Sequence, residues 1–293
     1  MMEDQIILLG TKGGPAVRQG GAMPTASLLH MDGQTIVVDC GIGLTRSIAD
    51  AGVKLLDIDA IFITHLHSDH LLELGPLIYT IWTTGLTKTI PIYGPIGIQE
   101  YWDGFMQSMD FDHGIRIVDD GRKPLTDMVE VHVFGEGEIA EIDGIKVSAL
   151  RVDHPPVTEC YALRFDGSKV SCVFSADTCY FPPLAEFSKK ADVLVHEAML
   201  EAGIQSILDR TAGATSLEQH LRASHTMAPD VGRIAHDAEV GLLVLNHLIP
   251  ADDPSFNNSH WQAAIAQSWS GDMIVGEDGM KIPLNRNQSV NTA

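Results

Sequence analysis

Residues 64–70 read THLHSDH and place His65, His67, Asp69 and His70 within six positions, directly after the apolar run AIFI. Imidazole nitrogens and carboxylate oxygens are what zinc and similar divalent ions take as ligands. In an extended segment residues two apart point the same way. The stretch can therefore present His65 and His67 to one ion and the Asp69–His70 pair to a second. Further donors stand where other apolar runs end: His154 in RVDHPP, Asp177 in FSADT and His247 in LVLNHLIP. An aspartate between two ions can bridge them with its two oxygens.

Delivering such scattered donors requires several strands that end at one place. QIILLG (5–10) and TIVVDCG (35–41) read as strands, and GTKGGPAVRQGGAMP between them reads as a glycine-rich loop. That loop is not a P-loop, because no G-K-[ST] follows. Residues 44–56 read as a short helix, DAIFIT as a strand, 71–85 as a helix stopped by Gly85, and 90–95 as a strand before the helical IGIQEYWDGFMQSM. Residues 129–152 alternate like three meandering antiparallel strands. Residues 161–175 form a hairpin signal with Asp166-Gly167 at the turn. DVLVHEAM and GLLVLNHL read as buried strands, 228–238 as an amphipathic helix, and MIVGEDGMKIPL as a closing hairpin. The order suits an α/β four-layer αββα sandwich, two mixed sheets with helices on the outer faces, as a single domain over residues 1–293.

HxHxDH followed by a distant His, an Asp and a final His resembles the signature of the metallo-β-lactamase fold superfamily. The resemblance runs in order from Asp39 to His247 and covers nearly the whole chain. It implies that His65, His67 and His154 hold one metal, that Asp69, His70 and His247 hold another, that Asp177 bridges them, and that Asp39 orients a ligand from behind. The cofactors so implied are two divalent ions, zinc favoured, with manganese or iron able to substitute. Coordination can lower the pKa of water from 15.7 to about 7, so the reaction expected is hydrolysis by a metal-bridging hydroxide.

Several stretches (LLGTKGGP, IYGPIG, HEAM, SHTMAPDVGRIAHDAEVGLLVLNHL) resemble ribonuclease Z and its arylsulfatase-like relatives. That resemblance implies catalytic roles for His225, as a proton donor, and Glu197, which orients it; Asp69 is counted with them as well as with the ligands. Ribonuclease Z usually carries a long arm between the third-motif His and the bridging Asp. Here His154 and Asp177 are 23 positions apart, filled by one hairpin signal. The leading expectation is therefore a small ester-type substrate such as an aryl sulfate or phosphodiester. Ribonuclease Z-type cleavage of RNA and a lactonase or carboxylesterase are the alternatives, with a non-catalytic metal-binding protein behind them. Tyr180, three after Asp177, matches a tyrosine that acyl-homoserine lactonases aim at the substrate carbonyl. Diiron members of the superfamily carry Glu where His67 stands, which favours hydrolysis over redox chemistry. His30, His113, His132, His220, His236 and His260 read as surface or packing residues.

A net charge of −20 argues against a phosphate-backbone partner without forbidding a local basic pocket. Cys40, Cys160, Cys172 and Cys179 form no C-x-x-C pair. The acidic start MMEDQIILLG lacks the pattern of a secretory signal, and no apolar run reaches the ~18 residues of a membrane span. The expected setting is the cytoplasm. The expected partners are a small-molecule substrate and a second copy of the chain in a homodimer, with neither membrane nor nucleic acid.

Overall fold

The computed structural model describes residues 3–284. In chain order the first six strands are β1 (Gln5–Gly10), β2 (Ala26–Met31), β3 (Gln34–Val38), β4 (Ala60–Phe62), β5 (Ile90–Gly94) and β6 (Val129–Val133). The next seven are β7 (Gly137–Ile142), β8 (Ile145–Arg151), β9 (Tyr161–Asp166), β10 (Ser171–Phe174), β11 (Val193–Met199), β12 (Leu242–Ile249) and β13 (Met273–Val275), with β14 (Lys281–Pro283) last. They form two seven-stranded mixed sheets, ordered β14-β1-β2-β3-β4-β5-β6 and β13-β12-β11-β10-β9-β8-β7.

Side-chain alternation builds the layers. In β1, Ile6 and Leu8 point into the space between the sheets, while Ile7 and Leu9 point outward under α1 (Leu44–Asp50) and α3 (Leu74–Thr83). In the second sheet Val193, Val195 and Val244 fill the inter-sheet core. Leu194, Leu243 and Leu245 face outward toward α8 (Ala228–Ala238) and its neighbours. Strands covered on both faces read as continuous apolar runs, which is why IILL and LLVL lack visible alternation. Burying each such side chain contributes about 1.5–3 kcal/mol. Phe62 stacks on Tyr93 at 4.5 Å and meets Phe165 of the opposite sheet edge-on at 5.3 Å.

One strand went unread and two expectations about connectivity need correcting. The run ASLLHM is a strand, β2, antiparallel to both β1 and β3. Residues 129–152 do not meander: β6 joins the first sheet parallel to β5, and only β7 and β8 pair antiparallel, in the second sheet. The chain crosses between the sheets at Phe134–Gly135–Glu136, and alternation cannot show which sheet an edge strand joins. The closing hairpin is also absent. β13 is parallel to β12 and β14 antiparallel to β1, so residues 276–280 cross the sandwich. Asp278 fastens that crossing by accepting from Thr11 N, Thr11 Oγ1 and Met23 N.

The helices also include α2 (Ser68–Leu71), α4 (Ile98–Asp119), α5 (Pro183–Phe187), α6 (Ile204–Arg210), α7 (Leu217–Ser224) and α9 (Asn258–Ile265). The pair α6–α7 was not expected; its polar-rich segments border the site. Residues 44–56 hold α1 and, after a turn, a short 3₁₀ helix over 55–57. No helix among the described residues is long and apolar enough to cross a membrane.

Candidate metal centre

The donors converge where the strands end. His65 and His67 follow β4, with Asp69 and His70 in α2; His154 follows β8 and Asp177 follows β10; Glu197 and His247 lie within β11 and β12. Ligand atoms of His65, His67, His154 and Asp177 all lie within 4.8 Å of one another. The same holds for Asp69, His70, Asp177 and His247, and for Glu197, His225 and His247. Asp177 thus belongs to two sets: its Oδ1 is 3.3 Å from His70 Nε2, and its Oδ2 is 3.1 Å from His247 Nε2 and 3.8 Å from His65 Nε2.

Backbone geometry is bent to make this possible. His247 has φ +42° and is skipped in the pairing of β12 with β11, where Glu197 faces Asn246 and Ala198 faces Leu248. A bulge of this kind re-aims a side chain. Asp39 (φ +64°) and Ala176 (φ +56°) are also left-handed. Such non-glycine conformations cost of order 1–3 kcal/mol each and concentrate at functional sites. The glycine-rich loop closes over the result. A side chain on Gly13 would meet the His247 ring at 2.8 Å, so only glycine allows the contact, and Gly14 N donates to Asp69 Oδ2 at 2.8 Å.

Hydrogen bonds behind the histidines turn Nε2 toward the cluster. His70 Nδ1 meets Asp39 Oδ2 at 2.8 Å, and His154 Nδ1 meets the Ser224 carbonyl at 2.8 Å. His65 Nδ1 meets Thr64 Oγ1 at 3.1 Å, and that hydroxyl donates to Asp39. Asp39 also accepts from Thr64 N at 2.8 Å. Asp39 thus stands directly behind His70 and, through Thr64, behind His65.

The buried carboxylates and imidazoles of the cluster shift one another's protonation. Burial alone would raise the Asp177 carboxyl, but His247 and His70 hold it well below the usual carboxylate range. Asp69 is likewise held down by His70 and His247 against its burial. Burial pulls the His247 imidazole down, yet Asp177 and Asp69 push it up to about 10. His65, deepest in the site, is pushed well down by burial and by His70. His65 Nε2, His70 Nε2, Asp177 Oδ1 and His247 Nε2 are buried without a hydrogen-bond partner among the described residues. Buried polar atoms are ordinarily satisfied. Orphaned imidazole nitrogens converging on shared carboxylates suit a divalent metal site.

His225 follows α7, and its Nδ1 meets Glu197 Oε2 at 2.8 Å. Glu197 Oε1 accepts from Thr178 N at 2.6 Å, which fixes the carboxylate. Neither neighbour of His225 caps α8: Ser224 Oγ donates to the Pro155 carbonyl and Thr226 Oγ1 to the Thr178 carbonyl. A cavity of about 390 Å³ opens over the cluster, and His67, Asp69, Asp177, His225 and His247 line it. Tyr180 does not line it; the side chain is 39% exposed at the surface.

Other lining residues were missed. His220, read as a surface or packing residue, is half-buried on α7 and lines the cavity, 5.8 Å from the His225 ring. Its position five before His225 was the available signal. Lys12, Arg18, Arg210 and Asp252 line the cavity as well. Lys12 and Arg18 sit in the glycine-rich loop, and no motif marked Arg210 or Asp252.

A family model described as "Anti-Pycsar protein Apyc1" matches residues 5–224. Ribonuclease Z of Mycobacterium bovis (strain BCG / Pasteur 1173P2) is 31% identical over 284 residues, covering 96% of this chain and 98% of that protein. Among solved structures, the metallo-beta-lactamase fold protein YhfI from Bacillus subtilis superposes with a TM-score of 0.71 at 23% identity, covering 94% of this chain and 98% of its own. The short form of human tRNase Z (ELAC1) does so at 0.67 and 20%, covering 96% and 99%. The chain belongs to the family of the anti-Pycsar protein Apyc1, and with it to the ribonuclease Z branch of the metallo-β-lactamase fold superfamily.

Proposed function

We propose that the chain is a binuclear metal-dependent phosphodiesterase. It is an enzyme that hydrolyses ester bonds with the help of metal, as its relatives are. The observation that carries the finer reading is the sharing of Asp177 between two four-residue donor sets on the floor of one cavity. In this reading His65, His67 and His154 serve one ion, Asp69, His70 and His247 the other, and Asp177 both. Zinc fits the N/O donor set, and manganese or iron fits it too. Two such ions, once bound, would supply an acidified water and offset the charge of the phosphate.

The remaining chemistry falls to the chain itself. Asp39 and Thr64 hold the imidazoles in orientation. Glu197 accepts from His225 Nδ1, which stabilises the imidazolium and leaves Nε2–H to protonate the departing alkoxide. A positioned acid of this kind contributes 10²–10⁴-fold. Tyr180, away from the cavity lining, has no part in this account.

The relatives favour a phosphodiester over an aryl sulfate. They give no support to the expectation that nucleic acid is not a partner, since relatives from Mycobacterium bovis and Mycobacterium marinum are named ribonuclease Z. RNA cleavage is therefore the second reading, and the identity over 96% of the chain is what favours it. A substrate panel on zinc- and manganese-loaded protein tests both: bis(p-nitrophenyl) phosphate, p-nitrophenyl sulfate, a lactone and a precursor tRNA. Turnover of the diester above the others supports the proposal. Turnover of the sulfate or lactone alone overturns it, and efficient trimming of the tRNA selects the second reading.

A further inference from the structure

His220 lines the cavity beside His67, His225 and His247 but belongs to none of the three donor sets. Its ring centre is 5.8 Å from that of His225, 6.1 Å from His154 and 6.3 Å from His67. It therefore stands between the proposed acid and the first donor set.

The bonds behind His220 fix where its proton sits. Ser224 Oγ donates to the Pro155 carbonyl, which can only accept. A hydroxyl has one proton to give, and that bond uses it. The same oxygen lies 3.2 Å from His220 Nδ1, so it accepts there from Nδ1–H. Above the ordinary imidazole pKa of about 6.5, the ring holds one proton, and Nε2 is left as a bare acceptor. No hydrogen bond reaches His220 Nε2 among the described residues. Ser224 is fully buried, and its carbonyl also meets His154 Nδ1 at 2.8 Å. One residue thus seats both imidazoles, which ties the acceptor's position to the donor cluster.

His225 is set the other way round. Its Nδ1 meets Glu197 Oε2, and the acid role gives it a donor at Nε2. The two rings are nearly perpendicular, at 86°. A donor and an acceptor side by side match two oxygens on neighbouring carbons. The donor takes the ester oxygen that departs, and the acceptor takes the hydrogen of a hydroxyl next to it. Leu217 and Leu221, on the same helix as His220, line the cavity and give the body of the leaving group an apolar surface.

We propose that His220 is a specificity-determining residue whose Nε2 accepts a hydrogen bond from a hydroxyl on the carbon beside the leaving oxygen. The preferred leaving group is then a vicinal diol of the ribose type, and its deoxy counterpart is disfavoured. The inference rests on the phosphodiesterase reading for the cut itself.

Zinc-loaded full-length protein is compared on the dinucleotides ApA and dApA at about pH 8, where imidazole is ordinarily neutral. The second substrate lacks the 2′-hydroxyl beside the 3′-oxygen. Wild type is expected to favour ApA about tenfold in kcat/KM, as for one hydrogen bond. His220→Asn keeps an N–H for Ser224 Oγ but has no atom in the place of Nε2, so the preference falls toward parity. His220→Gln brings an amide oxygen to that place and retains it. A merely structural residue would lower both rates together and leave their ratio alone. Equal rates in wild type, or a preference that survives in His220→Asn, overturn the inference and leave the phosphodiesterase reading standing. So does turnover of bis(p-nitrophenyl) phosphate with neither dinucleotide cut. Cleavage of no diester at all overturns the phosphodiesterase reading, and the inference falls with it. Nitrogen-15 NMR of histidine-labelled, zinc-loaded wild type checks the acceptor without turnover. A proton on Nδ1 and none on Nε2 is expected for His220, and a proton on Nε2 overturns the inference whatever the kinetics.

Discussion

The loop after β4 supplies His65, His67, Asp69 and His70 within six residues, whereas the second sheet supplies His154, Asp177, Glu197 and His247 from four different strands. On the first side, local chain geometry places the donors, and one loop conformation, held by Asp39 and Gly14, sets them all. On the second side, placement depends on the register of β10, β11 and β12, whose buried apolar runs lock it, and on a bulge that re-aims His247. A compact motif thus concentrates chemistry where few residues must agree. A dispersed set makes the site answerable to the packing of a whole sheet.

Substitutions on the two sides should sharpen this contrast. The largest effect is expected for Asp177→Ala, because both donor sets use that carboxylate. Elemental analysis should find at least one ion lost, and kcat/KM should fall beyond the 10–100-fold typical of a residue that only supports a ligand. Retention of both ions would mean that the second sheet supplies its bridge from elsewhere. Next comes His225→Ala: a 10²–10⁴-fold loss in kcat with unchanged metal content, shrinking for diesters with good leaving groups, which need no proton. Metal loss in that variant would move His225 into the ligand set with Glu197 and His247. On the first side, Asp39→Asn should weaken metal affinity about 10–100-fold, read by chelator competition, while the fold stays intact by circular dichroism.

The smallest effect concerns His196, beside Glu197 in β11. Burial lowers its imidazole from the ordinary 6.5 to about 4. The unfolded chain therefore binds a proton that the folded chain refuses between those values, and stability rises with pH across that window. The melting temperature of metal-free protein should fall as pH drops from about 6.5 toward 4, and less steeply in His196→Leu. Parallel slopes would show that this part of the sheet does not feel the proton.

The same contrast explains what could be read in advance. THLHSDH is legible because its donors are neighbours in sequence. His154, Asp177 and His247 could be picked out as donors after apolar runs, but their grouping came from a family resemblance. Arg210 carries no mark beyond its residue type and His220 only its place five before His225, since helices α6 and α7 reach the cavity only through tertiary packing. The sheet assignments of β6 and β14 failed for a related reason: an edge strand's alternation says which face is buried and nothing about which sheet it joins.

Each four-donor set draws on both sheets, and that has a mechanical meaning. Any cation bound there is a rivet through the sandwich, because the sheets cannot part without giving it up. A ligand that binds only the folded state at a hundred times its dissociation constant adds about 2.7 kcal/mol of stability. The availability of free metal would then set how long this protein survives as well as how fast it works. Depletion would loosen the seam between the sheets before it touched either sheet alone.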